Sequence, residues 1–280
     1  MAITRKVTTS LSLPTEPNAP PTGLTDYNIM VYGRKQWGKS TMASQFPGTI
    51  NFQFEPGRRG LSIYQVAPKT IGEAAEYLNL FLESDLARVV MDTVDRYYDM
   101  HLISKCKELS NGQKTHPSQF GNEGYAIWDV VKTSFEEIFE TIIHAGKTFT
   151  LVSHDKKVQN KDRDGQEWTR IEPTCKPAAW KIGQSMCDFV FHVDFLSGDR
   201  IMSVRDLDNS TLASCNPEID CFLDPEGNEL RRFKVPNKKS EVYNTVLSAF
   251  NNEIFDADYS PPKKALEKKT LSRKPEAASV

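Results

Sequence analysis

Gly33-Arg34-Lys35-Gln36-Trp37-Gly38-Lys39-Ser40 fits G-x-x-x-x-G-K-[ST] in full, and an octet of this kind works only between a strand and a helix. Both flanks are present. Tyr27 to Tyr32 is a short apolar run stopped by Gly33, hence a buried strand, and Ser40 to Gln45 reads as a helix. Gly33 and Gly38 let the backbone turn so that successive N–H groups converge on a phosphate. The start of the helix adds the positive end of its dipole. Gly33, Arg34, Lys35, Gln36, Trp37, Gly38, Lys39, Ser40 and Thr41 are therefore the expected cradle for ATP. Lys39 should reach the β and γ oxygens, and the Ser40 hydroxyl should ligate Mg2+. Arg34, Lys35 and Trp37 are too bulky to face the nucleotide, so their side chains should point away. Trp37 either packs on the sheet or stacks on a base.

The rest of the chain alternates in the same manner. Thr49 to Phe54, Ala87 to Met91, Thr148 to Val152 and Phe189 to Val193 read as strands. Ile71 to Ser84, Val94 to Leu109 and Tyr125 to Ala145 read as helices. Such alternation predicts an α/β fold, a mostly parallel sheet with helices on both faces. After about Arg200 the elements shorten. Arg200 to Val204, Ile219 to Leu223 and Glu229 to Phe233 are strand candidates, and Asp224-Pro225-Glu226-Gly227-Asn228 is a hairpin turn between the last two. Lys239 to Phe250 is a closing helix. The predicted parts are a disordered arm over 1–25, rich in Thr, Ser and Pro, an ATPase-like core over 26–212, and a small β-rich extension over 213–255. A basic tail over 256–280 carries Lys263, Lys264, Lys268, Lys269, Arg273 and Lys274.

Composition narrows the partners. Against 37 Asp and Glu stand 35 Lys and Arg, a net charge of −2, which excludes a strongly basic nucleic-acid coat but not a local basic site. No apolar run approaches the roughly 20 residues that cross a bilayer, and the N-terminus lacks the apolar core of a signal peptide. Five scattered cysteines suit a reduced compartment. The expectation is a cytoplasmic protein with no membrane partner. Cys175 and Cys187 lack zinc spacing with His192. Asn160 to Gly165 imitates a calcium loop, but its closing acidic position falls on Ile171, and Lys161 and Arg163 repel a cation.

A second acidic strand accompanies the octet. Ala87-Arg88-Val89-Val90-Met91-Asp92-Thr93 ends in the acid expected to face Mg2+, although Asp92 could also cap the helix at Val94. Between the two lies a strand ending in Glu55-Pro56-Gly57. This order resembles the RecA-type ATPase core. Together with Val152-Ser153-His154-Asp155 and Cys187-Asp188-Phe189-Val190, it is similar to the compact phage-encoded RecA-like nucleotide-binding proteins, which act as single-strand annealing proteins in phage recombination. The resemblance runs from about Tyr27 to Arg205.

The resemblance implies that Glu55 polarises the attacking water and that His154 senses the γ-phosphate. With Lys39 these form the expected catalytic set, and Ser40 and Asp92 the metal set. It also implies that the His154 strand lies between those bearing Lys39 and Asp92. Plainer roles stay open: a strand-end acid for Glu55, and a backbone-bonded imidazole for His154. The segment after His154, read as too irregular for an element, becomes by resemblance a DNA-binding loop in which Lys156, Lys157, Lys161 and Arg163 track phosphates and Trp168 stacks on a base. The alternative is a hairpin turning at Asp164-Gly165 with solvated charges. Implied partners are single-stranded DNA, further copies of the chain and a single-strand-binding protein, in a host cell's cytoplasm. RecA-type ATPases complete their site with a cation from the neighbouring subunit. Lys176, Lys181, Arg200 and Arg205 lie in the right region, each otherwise a surface charge, and no spacing selects one. The leading expectation is thus ATP hydrolysis coupled to single-stranded DNA. A small-molecule or nucleoside kinase, and a non-catalytic adaptor assembled by ATP, use the same loop.

Overall fold

Apolar strands that must be covered on both faces need helices on both, and the chain supplies them. The computed structural model describes residues 13, 15–17, 19, 21–55, 62–161, 165, 167–206 and 210–254. In chain order the elements are β1 (Ile29–Gly33), α1 (Lys39–Ala43), β2 (Thr49–Gln53), β3 (Gln65–Val66), α2 (Ile71–Glu83), β4 (Arg88–Asp92), α3 (Val94–Leu109), α4 (Gly124–His144), β5 (Thr148–Ser153), β6 (Asp155–Lys161), β7 (Glu167–Pro173), α5 (Pro177–Ser185), β8 (Phe189–Leu196), β9 (Asp199–Ser203), β10 (Ser214–Cys215), β11 (Arg232–Val235) and α6 (Val242–Phe250).

The main sheet runs β11-β9-β8-β1-β5-β4-β2-β3, with β10 on β8. From β8 to β3 every pairing is parallel, while β9, β10 and β11 join antiparallel. The expected α/β fold is present. β5, which leads into His154, lies between β1 and β4, the order that the resemblance implies.

Two apolar layers follow from strand alternation. Val31, Val90, Val152 and Phe191 face α1 and α6 in one core, with Phe222 and Phe233. Met30, Val89, Met91 and Leu151 face α2, α3, α4 and α5 in the other. Caps hold the helices in register: Thr70 accepts from the Glu73 amide at the head of α2, and Thr93 from the Arg96 amide at the head of α3. Arg88, wholly buried, donates to the carbonyls of Thr25, Tyr27 and Phe149 and to the Thr150 hydroxyl. Desolvation lowers its pKa to about 10, so it stays charged at neutral pH.

Two expectations need correction, and one helix is additional to them. The segment after His154 is not irregular: β6 and β7 pair antiparallel from Asp155↔Pro173 to Lys161↔Glu167 as a regular hairpin. Ile219 to Leu223 is not a strand. Around the Asp224 turn only Leu223 and Glu229 pair, and the strand beyond is β11, because Asp224 turns its carboxylate onto the Glu226 and Asn228 amides. α5 was not expected; Pro177 opens it and Ala179 and Ile182 bury its inner face. Pro56, Gly57, Arg163, Asp164 and the tail over 256–280 lie outside the described residues, as does most of the arm over 1–25.

Candidate functional site

The octet spans the end of β1, the turn and the start of α1. Gly33 has φ +143° and Gly38 φ +109°, values that L side chains rarely adopt. At Gly33 there is no room either: an added Cβ would sit 2.0 Å from the Val193 carbonyl oxygen, the same oxygen that accepts from the Arg34 amide. Trp37 turns inward, wholly buried, and its Nε1 donates to the Asp194 carbonyl at 3.0 Å. Trp37 therefore packs and pins the loop to β8; it cannot stack on a base. Arg34 points outward to Asp194 at 3.6 Å, and Lys35 and Gln36 are exposed. Thr41 is half-buried on the first turn of α1.

Lys39 and Ser40 are buried at the start of α1. The Lys39 Nζ donates to the carbonyls of Gly33 at 2.6 Å and Arg34 at 3.0 Å. The loop thus holds the ammonium against its own backbone, at the mouth of the cradle.

The sheet brings the acids to the same edge. Asp92 ends β4, buried to 2% exposure, level with Val152 of β5, which is itself level with Val31 of β1. Just beyond β2, the Phe54 amide donates to the Asp92 carbonyl, and Phe54 stacks on Tyr97 of α3 at 4.5 Å. Tyr97 and Tyr98 of α3 are both buried in the core. Glu55 follows Phe54. Its Oε1 accepts from the Thr93 hydroxyl at 2.8 Å, and its Oε2 lies 3.5 Å from His154 Nε2. The structure therefore brings Glu55, Thr93 and His154 together; the sequence marks Thr93 only as the residue after Asp92 at the strand end and assigns it no role. Its signal was there, since it follows the strand-end acid and caps a helix.

His154 is followed at once by β6. The hairpin is tied down at its root. The His154 carbonyl accepts from the Thr174 amide, and the Thr174 hydroxyl bonds Asp95 in the first turn of α3. The Tyr32 hydroxyl, next to Gly33, accepts from the Leu212 amide at 2.7 Å and reaches the Ile171 carbonyl. Burial holds the Tyr32 phenol well above its ordinary pKa, so it remains a neutral strut. His192 sits against the Tyr32 ring with its pKa lowered by burial, and the Lys39 charge pushes the same way.

Strand alternation splits the expected DNA contacts. Lys156, Arg170 and Trp168 lie on one face of the hairpin, Lys157 and Lys161 on the other. Arg170, not singled out from the sequence, has its guanidinium 5.9 Å from the Trp168 ring centre. Lys161 stands 4.0 Å from Glu167. The candidate trans cations also separate. Lys176 pairs with Asp99 at 2.7 Å and Lys181 with Glu136 at 3.0 Å. Arg205 binds the carbonyls of Phe222, Leu230 and Cys221. Arg200 is not a surface charge: it is 8% exposed and lies beside Gly38.

The donor set fits a Mg2+-bound nucleotide: a glycine-turned cradle, a buried lysine and hydroxyl, and a buried carboxylate one strand over from β5. Mg2+ keeps phosphate oxygens and waters as ligands, so Ser40 and Asp92 suffice as its protein donors. Among the described residues no helix is long and apolar enough to cross a membrane.

No curated protein matches the chain. Among solved structures, a KaiC-like protein from the hyperthermophilic archaeon Pyrococcus horikoshii OT3 is similar at a TM-score of 0.35 and 10% identity, over 66% of this chain and 81% of that one. The profile of the AAA domain family AAA_24 matches residues 25–211. Those residues hold the phosphate loop, both strand-end acids, His154 and the hairpin; the chain belongs to this AAA domain family of P-loop proteins.

Proposed function

We propose that the chain is a Mg2+-dependent ATPase that acts on single-stranded DNA, in the manner of phage recombination or annealing proteins in the cytoplasm of a host cell. Lys39, Ser40 and Asp92 hold Mg–ATP, with Gly33 to Thr41 as the cradle. Glu55 orients and deprotonates the attacking water, and Thr93 fixes its carboxylate. Bound Mg2+ supplies charge neutralisation at the phosphates. Copies of the chain assemble on the strand, and a single-strand-binding protein is a further partner.

One observation carries the reading. His154 touches Glu55 and is also the residue from which the hairpin with Trp168, Lys156 and Arg170 departs. A nucleic acid that shifts the hairpin root would therefore shift the partner of the catalytic base, and the coupling runs both ways. The test is ATP turnover with and without single-stranded DNA, alongside Glu55→Gln. Stimulation by DNA, with turnover lost but ATP binding kept in Glu55→Gln, is the expected result. Turnover indifferent to DNA, with phosphate passed to a metabolite, would select the kinase. DNA annealing that survives in Glu55→Gln would select the adaptor.

A further inference from the structure

We infer that Arg200 is a phosphate-binding residue supplied in cis: β9 holds its guanidinium against the phosphate loop, where it serves the nucleotide's polyphosphate. This rests on the octet being the nucleotide site. Arg200 stands opposite Phe195 of β8 and Val235 of β11. Alternation puts it on the same sheet face as Met202, the face that carries α1. Its Nη1 is the nearest atom to a Cβ built on Gly38, at 3.8 Å.

Arg200 is 8% exposed as a residue, and its Nε and Nη1 are buried yet find no hydrogen-bond partner among the described residues. The acids of the same β8–β9 hairpin are engaged elsewhere: Asp194 with Arg34 at 3.6 Å and Asp199 with Lys234 at 2.9 Å. A buried cation without an anion is unfavourable, and its donors are left unmade. A cavity of about 560 Å³ between Tyr98, Trp128 and Pro177 has Lys176 and Lys181 on its wall already paired, with Asp99 and Glu136. Arg200 instead lies beside the phosphate loop, whose glycine-turned backbone is built to receive a polyanion. A guanidinium offers two parallel N–H groups to phosphate oxygens, which a lysine does not. The AAA site then has a second cation from its own subunit, independent of assembly.

The experiment is calorimetric titration of dilute protein with Mg–ADP and with a non-hydrolysable Mg–ATP analogue, on the parent, Arg200→Met, Arg200→Lys and Lys39→Ala, with the melting temperature of each taken without nucleotide. Arg200→Met should bind both nucleotides roughly ten- to a hundredfold more weakly, the range for a charged hydrogen bond. Its melting temperature without nucleotide should equal or exceed the parent's, because an unpaired buried charge is gone. Arg200→Lys should fall between, and it answers the question if the methionine variant does not fold. Unchanged affinity overturns the assignment, as does lost affinity that comes with a lowered melting temperature, the mark of a packing role. Recovery of binding on mixing Arg200→Met with Lys39→Ala would make the residue a trans cation and overturn it too. Should Lys39→Ala itself bind as tightly as the parent, the octet is not the site and the underlying reading fails separately.

Discussion

Thr93 donates its hydroxyl proton to Glu55 across 2.8 Å, so the acid after β2 is fixed by the residue that follows the acid ending β4. The Thr93 side chain is wholly buried, and its oxygen also accepts from the Arg96 amide. One hydroxyl thus caps α3 and orients the proposed base. Thr93→Val should lower kcat by about ten- to a hundredfold with KM for ATP nearly unchanged, since ground-state contacts to the nucleotide are untouched. Thr93→Ser should restore most of the rate. Steady-state kinetics on the three proteins decide it; a rise in KM with kcat intact would place Thr93 in nucleotide binding instead.

The two glycines of the loop should fail differently. At Gly33 a methyl group meets the fixed Val193 carbonyl at 2.0 Å and a φ of +143°. Gly33→Ala combines overpacking with backbone strain and should destabilise the fold by about 3 kcal/mol or more. At Gly38 the added atom finds only Arg200 Nη1 at 3.8 Å, so Gly38→Ala carries strain alone, about 1 kcal/mol. Urea unfolding of both variants tests the ranking, and equal losses would refute the geometry.

The parts that sequence reading recovers are those with an apolar period to read. α3 is bounded as its pattern predicts, Val94–Leu109, because Thr93 caps it and its apolar positions repeat at helical spacing. The hairpin is illegible for the converse reason. Lys156, Lys157, Gln159 and Lys161 are exposed on both of its faces, so no alternation of polar and apolar residues marks it. Arg200 shows the remaining limit. Its neighbours in sequence say nothing of Gly38, and only the pairing of β9 with β8 puts the two together. Glu55, Asp92 and His154 were recognisable as strand-end polar residues, but which of them touch depends on strand order.

Burial makes one histidine an acid-sensitive joint. His101 of α3 packs on Phe135 and bonds Ser134 of α4. Desolvation, aided by Lys105, lowers its pKa from 6.5 to about 4. Between those values the unfolded chain binds a proton that the folded chain refuses. Stability is therefore complete above pH 6.5 and falls as pH drops toward 4, by about 3 kcal/mol in all. His101→Gln should flatten this slope. Urea midpoints at pH 7 and pH 4.5 give the comparison, and an unaltered slope in the variant would assign the acid sensitivity to other groups.

The hairpin makes the DNA proposal face-specific. Trp168, Arg170 and Lys156 share one side, while Lys157 shares the other with Ile171, whose side chain packs partly against the core. The side that meets the strand should therefore be that of Trp168. Trp168→Ala should weaken binding of a fluorescent oligodeoxythymidine by about 1–3 kcal/mol, the worth of one stacked base. Lys156→Ala should flatten the dependence of log affinity on log salt by about 0.7, one released counterion on a single strand. Lys157→Ala, differing by one position in sequence, should leave both quantities near the parent's. Equal effects at Lys156 and Lys157 would mean that the hairpin edge or tip, and not this face, tracks the backbone, because a flat pleated ribbon cannot present both lysines to one surface.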